Sequence, residues 1–320
     1  MNVLSPLGKV LVTGATGFIG RRLVVPGDRQ LLRAGGMKPH GAVVGDLCVP
    51  ETLRRACLGI DTVFHCAGYA HAFRDSDPEK HWTINFEGTR NLLSAAGEAG
   101  VRHFVFLSSV KAMGEPGNNC IDECFAEEPM APYGKSKRAA EEAVLDAGRR
   151  YGMHVVNLRL AMVYGRGGRG NLERMAEGVR HGWFPPLPET NNRRSIVHVS
   201  DVVSAIRYVA KMPAANGKTF IVADPNPYSG REIYRAICQA VGQAPRSWSI
   251  PAVGLRLGGR CGDILSSILG RPFPLSSEIV SRLLDSACYS PGRIRHELGW
   301  TAQVGLVEGL REMLRNETIL

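Results

Sequence analysis

Short apolar runs rich in β-branched residues alternate with stretches of helical periodicity through the first two-thirds of this 320-residue chain. "KVLVTG" (9–14), "GAVVGD" (41–46), "TVFHCAG" (62–68), "HFVFLSS" (103–109) and "HVVNLRLAMVYG" (154–165) are apolar on both faces, as strands covered on two sides must be. Between them, "PEKHWTINFEGTRNLLSAAGEAG" (78–100) and "YGKSKRAAEEAVLDAGRRYG" (133–152) repeat their apolar residues at helical spacing. The alternation predicts an α/β fold, a Rossmann-type doubly wound parallel sheet. Beyond residue 165 the texture changes. "GRGGRGN" (165–171) and "WFPPLPETNNRR" (183–194) read as loops, and helices are predicted at 230–242, 275–285, 291–298 and 305–315. A dinucleotide-binding domain of 1–165 plus 195–222 is therefore expected, with a smaller substrate-binding lobe of 166–194 plus 223–320 over the carboxyl edge of the sheet.

Composition narrows the classes of function. At 44% hydrophobic and 22% charged the chain is an ordinary globular sequence. No apolar run nears the ~20 residues that span a bilayer, and "MNVLSPLGKV" lacks a secretory pattern, so a cytoplasmic enzyme is expected. The net charge of +9 is spread along the chain without a basic tail or aromatic interleaving, which argues against nucleic acid. A phosphorylated small substrate, or loose association with an anionic membrane, fits it better. The eight cysteines (48, 57, 66, 120, 124, 238, 261 and 288) show no metal-ligand spacing. They read as reduced thiols, mostly core filler, and no metal is expected.

Gly14, Gly17 and Gly20 follow a strand and open a helix. A side chain there would block the turn and hold the backbone off a pyrophosphate, while the helix N-terminus offers free N–H groups to phosphates. Asp46-Leu47 ends a later strand, where a carboxylate can accept from an adenine amino group. Between these two points the chain is short. Only 21 residues (21–41) separate Gly20 from the next clear strand, whereas a helix, a strand and a second helix need about 35–40. One element is expected to be absent or vestigial: either the second strand is lost or a neighbour has taken its place. The acidic residue that would bind the adenine ribose is missing too. Positions 29–45 hold no Asp or Glu, only Arg29, Arg33, Lys38 and His40 among the charged or titratable groups, which leaves NAD against NADP open.

Tyr133 and Lys137, four apart on a predicted helix, share one face. An ammonium beside a phenol is expected to favour the phenolate, and such a tyrosine can take a proton from a sugar hydroxyl while hydride leaves the same carbon. Ser109, at a strand end, can hydrogen-bond the same oxygen.

The motifs "TGATGFIG", "GDL", "HCAG", "NFEGTRNLL", "SSVKAMGE", "YGKSK", "LRLAMVYGRG", "RRSIVHVSDV" and "ELGW" resemble those of the extended short-chain dehydrogenase/reductase family, in particular its nucleotide-sugar epimerases, dehydratases and 4-keto-reductases. The resemblance implies Ser109, Tyr133 and Lys137 as the catalytic triad. It implies cofactor contacts from Gly14, Thr16, Gly17, Phe18, Ile19, Gly20, Asp46, Leu47, Ala67, Gly68 and Asn85, besides Tyr133 and Lys137. It places Arg194 against a sugar-nucleotide diphosphate with Asn171 as its helix-start partner, and Arg282 as a second clamp across a one-residue gap. His198 and Asp201 are assigned to structure. A homodimer through the helices at 78–100 and 133–152 is expected on the same ground.

Family dehydratases carry an Asp-Glu pair directly after the catalytic Ser or Thr; here stand Val110 and Lys111, so 4,6-dehydration is not expected. Lys111 resembles the "SSVK" variant of bacterial polysaccharide enzymes acting on N-acetylated UDP-sugars. Cys288 resembles a gatekeeper kept small to admit an N-acetyl group, with a buried structural cysteine as the other reading. Met162 replaces a common asparagine. The expected activity is that of an NAD-dependent 4-epimerase on a UDP-hexose or UDP-N-acetylhexosamine through a 4-keto intermediate, NADP remaining open. Two alternatives stand beside it: a UDP-4-keto-6-deoxy-sugar 4-reductase, and a degenerate NAD(P)-binding sensor or scaffold.

Overall fold

The structure is a computed structural model that describes residues 7–35, 41–70, 77–168, 170–271, 273 and 275–315. Its strands are β1 (Val10–Thr13), β2 (Arg29–Leu32), β3 (Ala42–Val44), β4 (Thr62–His65), β5 (His103–Ser109), β6 (Cys120–Ile121), β7 (His154–Leu160), β8 (Met162–Tyr164), β9 (Ile196–His198), β10 (Lys218–Val222) and β11 (Cys288–Tyr289). Seven of them form one parallel sheet in the order β3-β2-β1-β4-β5-β7-β10. The strand order reverses between β1 and β4, and the crevice at such a reversal is where an open α/β sheet binds its ligand. The doubly wound sheet expected from the sequence is present.

Alternation along each strand fills both faces. Val10 and Val12 of β1 join Phe64, Val105, Leu158 and Phe220 in one buried cluster. Leu11, between them, points the other way and packs with Val63, Phe104 and Phe106. The first cluster is covered by α7 (Val199–Val209) and α11 (Gly292–Leu298); the second by α2 (Pro50–Cys57), α4 (Gly88–Glu98) and α5 (Pro132–Tyr151). A third cluster joins Tyr164 and Ile196 to α6 (Asn171–Arg180), α8 (Gly230–Ala240), α10 (Ser277–Leu284) and α12 (Leu306–Leu314).

Four sequence expectations need correction. The second strand is neither lost nor replaced: β2 lies in its ordinary place, pairing with β1 (Leu11 with Arg29) and with β3. What is cut down is α1 (Gly20–Leu23), a single turn, because Pro26 follows at once. Lys38 and His40 lie outside the described residues. The run 154–165 is two strands, since the chain leaves the main sheet after Leu160 and Met162–Tyr164 pairs with β9 instead. An 18-residue helix, α9 (Ala252–Leu269), occupies a stretch where none was expected; its glycines at 254, 258, 259 and 262 hid the periodicity. Finally, the cysteines are not all reduced thiols. Cys120 and Cys288 form a disulfide between β6 and β11, and of the other six only Cys57 and Cys238 are fully buried.

Candidate active site

β1 ends at Thr13, and the chain turns sharply through the glycines. Gly14 has φ +65°, and a Cβ there would sit 2.7 Å from the Ala67 nitrogen. A Cβ on Gly20 would lie 2.2 Å from the Gly14 oxygen, so the start of α1 can press on the turn only as glycine. Gly17 closes the turn by donating to the Gly14 carbonyl at 2.9 Å, and Thr16 and Gly17 are exposed. Phe18 lies under the Arg22 guanidinium at 4.8 Å, and Ile19 packs on the core. Arg21 and Arg22 donate to the carbonyls of Arg166 and Gly167, tying the loop after β8 to the turn.

The edge strands supply the far end of the crevice. Asp46 accepts from the Cys48 N–H at 2.9 Å and from Arg33 Nε at 3.1 Å. The Cys48 amide, with help from Arg33, holds its carboxyl below the usual range. Arg33 directly follows β2, at the position where an acidic residue was sought. Leu47 is buried and packs against Gly88.

At the centre, Gly68, Asn85 and Lys137 meet: a Cβ on Gly68 would lie 3.1 Å from Asn85 Oδ1 and 3.3 Å from Lys137 Nζ. Asn85 sits on a π-helical turn, His81–Glu87, which lies between α3 (Pro78–Lys80) and α4 and interrupts the helix expected over 78–100. Wide turns of this kind re-aim side chains at functional positions. Asn85 accepts from the Tyr69 N–H at 2.7 Å and donates to the Tyr69 carbonyl at 3.0 Å and to Ser136 Oγ at 3.2 Å. Lys137 is buried, donates to the Leu107 carbonyl at 2.9 Å and lies 4.6 Å above the Phe106 ring.

Tyr133 is half-buried on the first turn of α5 and shares a side-chain hydrogen bond with Ser109. The expected phenolate does not emerge here. Burial raises the Tyr133 phenol above its ordinary value, and the hydrogen bond with Ser109, not Lys137, opposes that rise. Lys137 is itself driven down to about 8 by burial, with Glu141 and Cys66 pulling the other way. Desolvation of the charged form is the largest influence on each of the two groups.

The substrate-side residues divide. Arg194 is half-buried and donates to the Asp285 carbonyl at 2.8 Å. Burial first, and Arg282 to a lesser degree, lower its ordinarily high pKa; Arg282 itself pairs with Glu278 on α10. Asn171 is the exposed first residue of α6. Lys111 is in an exposed ion pair with Glu115 at 2.9 Å. Cys288 is not the small free thiol of a gatekeeper: it is fully buried and bonded to Cys120. His198 and Asp201, assigned to structure from the sequence, are held by hydrogen bonds, the first with Glu312 and the second accepting from the Gln303 and Val304 N–H groups.

Three supports escaped the sequence reading. A buried relay runs from Thr13 Oγ1 to His65 Nδ1 at 2.7 Å and from His65 Nε2 to Thr89 Oγ1 at 2.9 Å. Thr13 also accepts from the Ala67 N–H, so the relay fixes the backbone before Gly68. Burial first, then Lys137, pushes His65 down to about 3, and it stays neutral. His81, 1% exposed, packs its ring on Tyr69 and Tyr133. Ser136, one turn after Tyr133, donates back to the Tyr133 carbonyl at 2.8 Å. The i+3 spacing of Ser136 was readable; the His81 and His65 contacts join residues far apart in the chain.

The residues fit a dinucleotide: the turn exposes Gly17 where a Cβ would meet only the Gly14 oxygen, and Gly68 leaves the Asn85 and Lys137 heads uncovered by any side chain of its own. Comparison with known proteins agrees. The chain is 28% identical over 321 residues (97% of this chain, 95% of the other) to the N-acetyl-alpha-D-glucosaminyl-diphospho-ditrans,octacis-undecaprenol 4-epimerase of Escherichia coli O157:H7. It is 29% identical over 321 residues (95% and 93%) to a UDP-glucose 4-epimerase of Vibrio cholerae. Among solved structures, the Thermus thermophilus UDP-glucose 4-epimerase in complex with NAD is similar, with TM-score 0.69, 26% identity and coverage of 95% and 97%. The NAD dependent epimerase/dehydratase family model matches residues 10–223, and the chain belongs to that family.

Proposed function

We propose that the protein is an NAD-dependent nucleotide-sugar 4-epimerase acting on a UDP-hexose or UDP-N-acetylhexosamine through a 4-keto intermediate. The observation that carries this reading is the hydrogen bond between Ser109 and Tyr133, one helical turn from Lys137, which in turn meets Asn85 at Gly68 after β4, beside the point where the strand order reverses. NAD, when bound, supplies the hydride acceptor and donor. Once it has released its own proton, the Tyr133 phenolate takes the proton of the sugar 4′-hydroxyl and later returns it, its oxygen held by Ser109. Lys137 and Asn85 orient the ribose side of the site from beneath Gly68. Arg194, with Arg282 nearby, receives the diphosphate, whose two charges suit guanidinium groups. Val110 is buried and Lys111 is paired with Glu115, so the acid and base that dehydration needs are missing beside Ser109. A homodimer through α4 and α5 completes the reading.

The test is incubation with UDP-GlcNAc, UDP-glucose and a UDP-4-keto-6-deoxy-sugar, with and without NADPH. Interconversion of a UDP-sugar with its 4-epimer without added reductant supports the epimerase. Turnover only of the keto sugar, with consumption of NADPH, makes it a reductase. Cofactor binding without any turnover makes it a sensor. Light scattering checks the dimer.

A further inference from the structure

We propose that α9 docks the protein on the surface of an anionic membrane. Val253, Leu257, Ile264 and Ile268 recur at intervals of four, seven and four, which places them on one stripe of this helix. They are exposed by 69%, 55%, 60% and 74%. Leu265 and Leu269 widen the stripe. The face turned inward is the glycine face instead. A Cβ on Gly262 would lie 1.7 Å from the Leu275 oxygen, and one on Gly259 would lie 3.1 Å from the Ser277 backbone. The helix therefore cannot roll its large residues under cover. Of the sixteen large hydrophobic side chains exposed among the described residues, nine lie between Trp248 and Ile279, so the patch is a concentration and not scatter.

Charge selects the occupant. Arg256, Arg260 and Arg271 stand within the span Trp248–Ile279 and Arg246 just before it, against Asp263 and Glu278, the latter paired with Arg282. Asp263 is engaged inward, accepting from the Ser277 N–H. Trp248 is exposed, with the Arg246 guanidinium 5.7 Å from its ring. An apolar stripe flanked by arginines, with a tryptophan at its border, matches a helix that lies in the interface of a bilayer carrying anionic lipid. No helix among the described residues is long and apolar enough to cross a membrane, and α9 carries three charges, so it lies on the surface and does not span it. A second copy suits the patch less. Arg260 falls on the stripe between Leu257 and Ile264, and a two-fold contact there would set like charges against each other. The docked helix also connects to Arg194: Arg256 pairs with the Asp285 carboxylate at 3.0 Å, and the Asp285 carbonyl accepts from Arg194.

The vesicle measurement itself needs neither cofactor nor substrate, so it stands apart from the assigned reaction. The full chain is floated with vesicles of phosphatidylcholine containing phosphatidylglycerol, and with phosphatidylcholine alone. The expected result is binding to the first, little to the second, and weakening with added salt. Ile264→Glu/Ile268→Glu should lower the partition coefficient at least tenfold, and Arg260→Gln/Arg271→Gln several-fold, with thermal unfolding and NAD binding unchanged. Should the glutamate variant fail to fold, the glutamine variant decides alone. The proposal is overturned by absence of binding to phosphatidylglycerol vesicles at low salt, or by binding that both variants retain. It is equally overturned if sedimentation shows that the glutamate variant converts a dimer to a monomer, because a second copy would then be the occupant.

Discussion

Tyr133 and Lys137 show how the same pair of side chains is read twice, once by spacing and once by environment. Their separation of four residues aligns them, but burial sets their charge states, raising the phenol and lowering the amine to about 8. Replacing Tyr133 by Phe removes the group proposed to move the proton while leaving Lys137 and Asn85 in place. Turnover should fall by about 10³-fold or more, within or above the range usual for a general acid–base group, and titration should find NAD still bound. Retained turnover would remove Tyr133 from the mechanism. Lys137 also leaves a mark on stability. Its folded pKa lies below its ordinary 10.5, so between about pH 8 and 10.5 the unfolded chain binds more protons than the folded one. Stability from this group therefore rises with pH across that window, by an amount on the order of 3 kcal/mol. Denaturant unfolding of the wild type and of Lys137→Met at pH 7 and pH 10.5 should show the wild type gaining on the variant by that amount. A constant difference would mean that the ammonium is not desolvated in the fold.

At the scale of elements, the glycine turn and α1 depend on each other. α1 is one turn long, so it adds little packing of its own, and the position of its N-terminus rests on Gly20 lying against the Gly14 carbonyl. Gly20→Ala must push that backbone apart. NAD affinity should fall at least tenfold and stability by about 1–3 kcal/mol, as an overpacked site does. Gly17→Ala makes the contrast, since its Cβ meets only the Gly14 oxygen, at 3.0 Å, on the exposed side. It should weaken NAD binding with a smaller loss of stability. Calorimetric titration and thermal melts of the two variants separate these outcomes, and equal melting losses would count against the packing argument. The π-helical turn His81–Glu87 belongs to the same scale. The apolar spacing over 78–100 announced a helix, and the extra residue in the turn, which carries Asn85 beneath Gly68, left no trace in that spacing.

Over the whole molecule the disulfide is a covalent tie of long reach, joining residues 168 apart and clamping β11 of the C-terminal third to β6. A cross-link over so long a loop restrains the unfolded chain, and removal of such bonds typically costs about 2–4 kcal/mol. Cys288→Ala, or reduction of the wild type, should therefore lower the unfolding free energy by about that much, with NAD binding unaffected. Unchanged melting on reduction would show that the bond carries no stability. The same scale separates what the chain states locally from what it does not. Strand and helix alternation, the glycine turn and the Tyr133–Lys137 pair all follow from spacings of two to seven residues, and those periods are properties of a single segment. They determined the doubly wound sheet and pointed to the candidate catalytic side chains. The partnership of Cys120 with Cys288, the recovery of Arg29–Leu32 as a strand, the outward stripe of α9 and the shifted charge states of Tyr133 and Lys137 were decided only by tertiary structure. Each depends on which distant surface closes over the segment, a non-local fact that sets pairing, burial and dielectric and that no local period encodes.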